Sequence, residues 1–282
     1  MEIKTFGVIG AGQMGGGIAQ VAAMSGLDII MHDIKDEFVQ KGFNTIAGLL
    51  AKNVEKGKMS VKERDTVLGR IRPVTDLSAM SEADYVVEAA SEVEPIKFEI
   101  FQKLDKICRP EVILATNTSS IPIGRIAAKT KRPEQVIGMH FMNPVPVMKL
   151  VEIIPGLATS DATYQTTGDL AVKFGKTPVK ANDYPGFIAN RILMPMINEA
   201  VYALYHGVGT VEDIDAVMRL GMNHPMGPLT LADLIGLDTC LAIMETLYAG
   251  FSDSKYRPCP LLRRYVEAGW LGRKVGRGFY PY

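Results

Sequence analysis

The chain has 282 residues, of which 47% are hydrophobic and 22% charged. This composition is that of a globular protein and excludes a disordered or fibrous chain, and the length favours about two domains at roughly 150 residues each. Lys plus Arg number 31, as do Asp plus Glu, so the formal net charge is zero. Because no overall field attracts nucleic acid or an anionic membrane, we expect neither as a partner.

The cysteines, the histidines and the hydropathy of the chain indicate whether it has disulfides or metal sites and where in the cell it is located. Cys108, Cys240 and Cys259 are scattered and form no C-x-x-C motif, which predicts neither a disulfide framework nor a zinc cluster. The four histidines show no metal-like H-x-x-x-H spacing, so we expect no metal. The chain has no export-signal pattern and no run of ~18 apolar residues. We therefore expect a cytoplasmic protein.

Short apolar runs alternate with helical patterns over the first two thirds of the chain. This alternation is typical of strand-helix-strand units around a parallel sheet. We predict an α/β fold whose first domain, residues 1–183, is a Rossmann-type domain with a mostly parallel sheet. The predicted strands are 6–9, 28–31, 85–87, 112–114, 136–139 and 150–154.

A glycine-rich motif follows the first predicted strand and opens a helix. It reads Gly10-Ala11-Gly12-Gln13-Met14-Gly15, and in this position G-x-G-x-x-G indicates a dinucleotide site. The first glycine permits a tight turn, the second lets a pyrophosphate approach the backbone, and the third lets helix pack on strand. The alternative is a glycine-rich turn without a ligand.

Asp33 ends the second predicted strand, where a carboxylate can accept hydrogen bonds from both ribose hydroxyls. A 2'-phosphate would meet the negative charge of this side chain, so the position favours NAD over NADP. The nearby cation of Lys35 leaves NADP as an alternative.

His140 closes a predicted strand, and Glu152 lies in the next one. A turn at Asn143-Pro144-Val145-Pro146 separates them. If the strands pair antiparallel about Pro146, His140 and Glu152 stand opposite each other. A carboxylate bonded to one imidazole nitrogen leaves the other to take a proton from an alcohol. A histidine with a purely structural partner is the alternative.

The strand-helix alternation ends at the Asp-Tyr-Pro-Gly cluster of residues 183–186. Proline restricts the residue before it and glycine permits a turn, so we place the domain boundary there. Apolar side chains between Leu193 and Leu204 recur on one helical face, with Pro195 near the start of the helix. Residues 184–282 are predicted to form an all-α domain.

Several motifs together resemble the 3-hydroxyacyl-CoA dehydrogenases, most closely the short bacterial 3-hydroxybutyryl-CoA dehydrogenases. The likeness spans essentially the whole chain, in the same order. The motifs are the glycine-rich stretch at 10–15, Asn-Thr-Ser-Ser at 117–120, His-Phe-Met-Asn-Pro at 140–144 running on to Glu152, Pro-Gly-Phe-Ile-Ala-Asn-Arg at 185–191, His-Pro-Met-Gly-Pro at 224–228 and the closing stretch 272–280.

The resemblance implies an NAD-dependent enzyme that interconverts 3-hydroxyacyl-CoA and 3-ketoacyl-CoA. It implies that His140 is the base, that Glu152 orients it, and that Ser119 and Asn190 hydrogen-bond the substrate oxygen, with Asn190 supplied by the second domain. Nicotinamide-side contacts are implied for Glu92, Lys97, Ser119, Asn143 and Lys274. Lys52 and Lys56, spaced four residues apart, would contact the coenzyme A phosphates, although a solvated basic face is the alternative.

Two positions depart from the family pattern. Met142 stands where a second phenylalanine is usual, and Pro95 interrupts the segment before Lys97.

Two rival functions remain: a dehydrogenase of free 3-hydroxy acids and a non-catalytic NAD-binding protein. We also predict a homodimer formed through the helical domain, since its apolar stripes exceed what a small bundle hides; association of dimers into larger assemblies remains open.

Overall fold

A computed structural model describes residues 2–282 of the chain. The chain folds as two compact units, Met1–Asp183 and Tyr184–Tyr282. The predicted class, a Rossmann-type sheet domain followed by a helical domain, is confirmed.

The first unit is built on an eight-stranded sheet in the order β3-β2-β1-β4-β5-β6-β7-β8. Neighbouring strands are parallel except β6 and β7, which pair antiparallel. The strands are β1 Thr5–Ile9, β2 Asp28–His32, β3 Ile71–Val74, β4 Tyr85–Glu88, β5 Ile113–Thr116, β6 Val136–Phe141, β7 Leu150–Pro155 and β8 Thr177–Lys180. Its helices are α1 Gln13–Met24, α2 Asp36–Glu55, α3 Val61–Gly69, α4 Glu94–Ile107, α5 Ile123–Ala127 and α6 Asp161–Lys173.

Central strands of this sheet are buried on both faces, which explains their unbroken apolar runs. Phe6 of β1 stacks on Tyr85 of β4 with ring centroids 5.5 Å apart, and both side chains are fully buried. The sequence did not predict β3 and β8, the two strands at the edges. Each contains a proline, Pro73 or Pro178, which an edge strand tolerates because one side of it needs no ladder donor.

The second unit is helical, with α7 Ala189–Tyr205, α8 Val211–Ala216, α9 Pro228–Ile235, α10 Leu237–Phe251 and α11 Pro260–Glu267. The first helix begins earlier than its apolar stripe indicated, so Pro195 lies inside it and not near its start. Within residues 2–282 no single helix is long and apolar enough to cross a membrane; α9 and α10 reach that length and composition only as a pair, bent by 98°.

Candidate active site

The glycine-rich loop joins β1 to α1 at the carboxyl edge of the sheet. Gly10 has a φ of +96°, and its N–H donates to the carbonyl of His32 at 2.8 Å. A Cβ on Gly10 would lie 2.6 Å from the Ala89 carbonyl oxygen, and one on Gly15 would lie 1.8 Å from the Gly10 carbonyl oxygen. At Gly12 a Cβ would meet nothing within 4 Å. Gly10 and Gly15 thus permit close packing, and Gly12 leaves space for a ligand.

The amino end of α1 is suited to an anion. Gly12 is its N-cap, no side chain bonds the first N–H groups, and no acidic residue lies in the first turn. Unsatisfied N–H groups and the helix dipole together favour a phosphate at such a terminus. The donor set therefore fits the pyrophosphate of a dinucleotide.

Asp33 stands beside this loop, directly after β2. Its Oδ2 accepts the N–H of Ala11 at 2.8 Å, and its Oδ1 accepts the N–H of Ile34 at 2.8 Å. These two backbone donors fix the carboxylate next to the glycine-rich loop. The cation of Lys35, which kept NADP open, lies 3.5 Å from a carboxylate oxygen of Glu37. The arrangement fits the ribose of NAD.

A cavity of ≈ 590 Å³ opens next to the glycine-rich loop. Its walls come from that loop and the start of α1, from Asp33, from one face of α2, and from the turn after β6. The lining includes Ala11, Gly12, Gln13, Gly17, Asp33, Phe38, Lys41, Thr45, Leu49, Asn143, Val145 and Pro146. Asn143 Oδ1 accepts a hydrogen bond from the side-chain Nε2 of Gln13 at 3.0 Å, which ties the turn to α1.

Glu92 organises the loop that carries Ser119 after β5. Its Oε1 accepts the backbone N–H of Ser119 at 2.8 Å and of Ser120 at 3.1 Å, together with the hydroxyl of Thr118 at 2.5 Å. Burial alone would raise the pKa of Glu92, but Lys97 and these donors lower it below its usual value. The loop is thus held by an ionised carboxylate before any substrate binds.

The helix that follows this loop, α5, is capped by neither Ser119 nor Ser120. Pro122 is the N-cap of α5 and makes no side-chain cap bond. Asp183 instead accepts the N–H groups of Ile123 and Gly124, each at 2.8 Å. Neither Ser119 nor Ser120 is needed to cap this helix.

A buried ion pair lies beneath this loop. Lys97 is 1% exposed, and its Nζ lies 2.7 Å from Oε1 of Glu88, which is fully buried. The same Nζ is 3.3 Å from Glu92 Oε2. Thr116 also donates its hydroxyl to Glu88 at 2.7 Å. Lys97 thereby neutralises two carboxylates, and its direct contact with a nicotinamide stays a prediction.

His140 and Glu152 meet as their spacing indicated. They are register partners in the antiparallel pair of β6 and β7, and His140 Nδ1 lies 2.8 Å from Glu152 Oε2. Both side chains are buried, Glu152 to 1% exposure. The N–H of Phe141 donates to Asn117 Oδ1 at 2.9 Å, so the strand of His140 is tied to the loop of Ser119. With a carboxylate at Nδ1, the imidazole can exchange a proton with another group only through Nε2.

The two departures from the family pattern are accommodated locally. Met142 is half-buried directly after β6. Pro95 lies in the first turn of α4, where its missing N–H removes no intrahelical bond. Neither position removes a polar group of the site.

The remaining predicted residues lie away from these groups or in the second unit. Lys52 lies in the last turn of α2, Lys56 is its C-cap, and both are exposed. In the second unit, Asn190 is buried in the first turn of α7, and Lys274 Nζ lies 2.6 Å from both carboxylate oxygens of Asp238. Their ligand contacts stay predictions.

Sequence reasoning missed Glu88 and the buried Lys176. Glu88 directly follows an apolar run at the carboxyl end of a strand, a signal of the same kind that identified Asp33. Lys176 contacts backbone far away in sequence, and no local pattern indicates this. Residues 2–282 contain no group of three or more His, Cys, Asp or Glu side chains placed to hold a metal ion.

Comparison with known proteins gives consistent matches over nearly the whole chain. Models of the 3-hydroxyacyl-CoA dehydrogenase family match residues 5–184, as the NAD binding domain, and residues 186–282, as the C-terminal domain. The chain is 59% identical to a probable 3-hydroxybutyryl-CoA dehydrogenase of Bacillus subtilis, covering 100% of this chain and 98% of the relative. It is 55% identical to a 3-hydroxybutyryl-CoA dehydrogenase of Bradyrhizobium diazoefficiens, covering 99% and 96%. The crystal structure of the (S)-3-hydroxybutyryl-CoA dehydrogenase from Ralstonia eutropha superposes with a TM-score of 0.97 at 50% identity, covering 100% and 99%.

Proposed function

Because this chain belongs to the 3-hydroxyacyl-CoA dehydrogenase family, we propose that it interconverts (S)-3-hydroxybutyryl-CoA and acetoacetyl-CoA with NAD(H). The observation that carries the proposal is the buried pair of His140 and Glu152, 2.8 Å apart. It lies on the strand next to the loop of Ser119, within the unit that carries the glycine-rich loop.

The glycine-rich loop, the amino end of α1 and Asp33 hold the cofactor. When bound, NAD supplies the acceptor for the hydride that leaves C3 of the substrate. His140 takes the proton of the 3-hydroxyl at Nε2, while Glu152 holds Nδ1–H and stabilises the imidazolium that forms. Ser119 donates its hydroxyl to the substrate oxygen, and Asn190 is proposed as a second donor. In the reverse direction the imidazolium returns the proton to the ketone oxygen.

The coenzyme A part of the substrate is proposed to contact the exposed cations of Lys52 and Lys56 at the end of α2.

We further propose that the protein is a cytoplasmic homodimer. Cys108, Cys240 and Cys259 are free and buried, which supports a reducing compartment such as the cytoplasm. Cell fractionation tests this location, and recovery with exported proteins would contradict it.

The experiment that tests the function compares NADH oxidation with acetoacetyl-CoA, longer 3-ketoacyl-CoA esters and free acetoacetate. We expect turnover with the thioesters, fastest with acetoacetyl-CoA, and little with the free acid. Turnover of the free acid alone would favour a dehydrogenase of 3-hydroxy acids. NADH binding without turnover of any of these compounds would favour a non-catalytic protein.

A further inference from the structure

Lys176 is a buried cation whose partners are backbone carbonyls. It directly precedes β8, is 8% exposed, and donates from Nζ to the carbonyl of Met148 at 2.8 Å and to the carbonyl of Val145. Over residues 2–282 no carboxylate forms an ion pair with it. The ammonium is therefore stabilised by the loop between β6 and β7 and not by a counterion.

Burying a charged group is unfavourable unless its donors are satisfied. Burial lowers the pKa of Lys176, and the nearby cation of Lys149 lowers it further. Two hydrogen bonds to carbonyls of one short loop offset this cost. Because the donor is charged, these bonds are stronger than neutral ones.

The loop held by Lys176 forms one wall of the cavity beside the glycine-rich loop. Asn143 reaches across to Gln13 of α1 at 3.0 Å. Val145 packs so closely on α1 that a Cβ on Gly17 would lie 2.8 Å from the Cβ of Val145. The cavity wall therefore rests on α1 from one side and on the ammonium of Lys176 from the other.

We propose that Lys176 is a positioning residue for cofactor binding: by holding the carbonyls of Val145 and Met148 it places Asn143 and Val145 against the glycine-rich loop. This inference rests on the proposed function, because that function assigns the cavity to NAD(H). Lys176 itself touches neither cofactor nor substrate in this account. It acts through the turn, and through Asn143 in particular.

The primary test measures the dissociation constant of NADH by fluorescence in Lys176→Met. We expect the dissociation constant to increase about tenfold, which corresponds to the free energy of about one charge-assisted hydrogen bond. Lys173→Met is the matched control, since Lys173 is exposed on α6 three residues earlier; it makes the same change of charge and should bind NADH like the wild type. An unchanged constant in folded Lys176→Met, even with a lower melting temperature, would overturn the inference and leave Lys176 a structural residue.

A second measurement asks whether the effect passes through Asn143. If it does, Lys176→Met should weaken NADH binding less than about twofold when Asn143 is already alanine, since effects through one contact are not additive. Fully additive losses would contradict this route. If Lys176→Met fails to fold, Lys176→Gln replaces it. Its shorter, neutral side chain cannot hold both carbonyls as the ammonium does, so it should bind NADH more weakly than the wild type; wild-type affinity would overturn the inference. Failure of the wild type itself to bind NADH would refute the proposed function instead.

Discussion

In the proposed mechanism the carboxylate of Glu152 fixes the proton on Nδ1 of His140 and stabilises the imidazolium. Glu152→Gln keeps the shape of the side chain but removes its charge. We expect kcat to fall by at least ~100-fold, because the general acid-base contribution and the correct tautomer are both lost. Stopped-flow rates and the pH-rate profile measure this, with NADH affinity as the control for folding. An unaltered profile and rate would show that the pairing has no catalytic role.

We propose that the single carboxylate of Asp33 sets the preference for NAD over NADP. Two backbone N–H groups hold its carboxylate beside the glycine-rich loop, where a 2'-phosphate would be repelled. We expect the wild type to have a higher kcat/KM for NADH than for NADPH, and Asp33→Ser to reduce that ratio by about tenfold. A wild-type preference for NADPH would indicate that Lys35 controls the pocket, despite its contact with Glu37.

At the scale of elements, two glycines in the turn from β1 into α1 have different tasks. Gly15 permits close packing, and Gly12 leaves space for a ligand. A Cβ on Gly15 would lie 1.8 Å from backbone oxygen, whereas one on Gly12 would meet no protein atom within 4 Å. Gly15→Ala should therefore lower the free energy of unfolding by ~1–3 kcal/mol. Gly12→Ala should fold normally yet bind NADH at least about tenfold more weakly, because its methyl group occupies the approach to the helix terminus. Thermal unfolding and NADH titration distinguish the two, and wild-type affinity in Gly12→Ala would contradict the assignment.

The strands that the sequence predicted are those that contain a run of buried apolar residues. The edge strands β3 and β8 were missed because each is short, partly exposed and interrupted by a proline, and local patterning does not distinguish such segments from loops. The register of β6 on β7 was predictable because a single proline-containing turn joins them. Helix limits were less predictable, as Pro195 inside α7 shows.

Of the candidate site, the residues with a local signal were found and those defined by packing were not. His140 opposite Glu152 follows from strand spacing, and Asp33 follows from its place at a strand end. The ion pair of Lys97 with Glu88 and the contacts of Lys176 join separate elements across the fold. A single sequence contains no periodicity from which such contacts can be derived.

At the scale of the whole molecule, the second unit leaves large apolar side chains exposed. They include Ile192 at 67%, Val208 at 77%, Val217 at 59% and Leu220 at 77%. A groove of ≈ 490 Å³ lies among Met196, Ala203, Val208, Val217 and neighbouring residues of this unit. Exposed apolar surface of this kind marks an interaction site, and a second copy related by a two-fold axis is the commonest way to cover it.

We therefore predict a homodimer formed through the second unit. Light scattering at micromolar concentration should give about twice the monomer mass of 30.8 kDa. Leu220→Glu places a charge on the exposed apolar surface and should shift the mass towards the monomer, because a buried unpaired charge at an interface is unfavourable. A wild-type mass near that of one chain would contradict the prediction.

In the proposed mechanism His140 transfers the proton during NADH-dependent reduction of a 3-ketoacyl thioester. The most direct measurement compares the rate of NADH oxidation by the wild type and by His140→Gln with saturating acetoacetyl-CoA, while NADH affinity is measured on the same samples. We expect a loss of ~10²- to 10⁴-fold in rate with NADH affinity nearly unchanged. Retention of more than about a tenth of the wild-type rate would remove His140 from the mechanism.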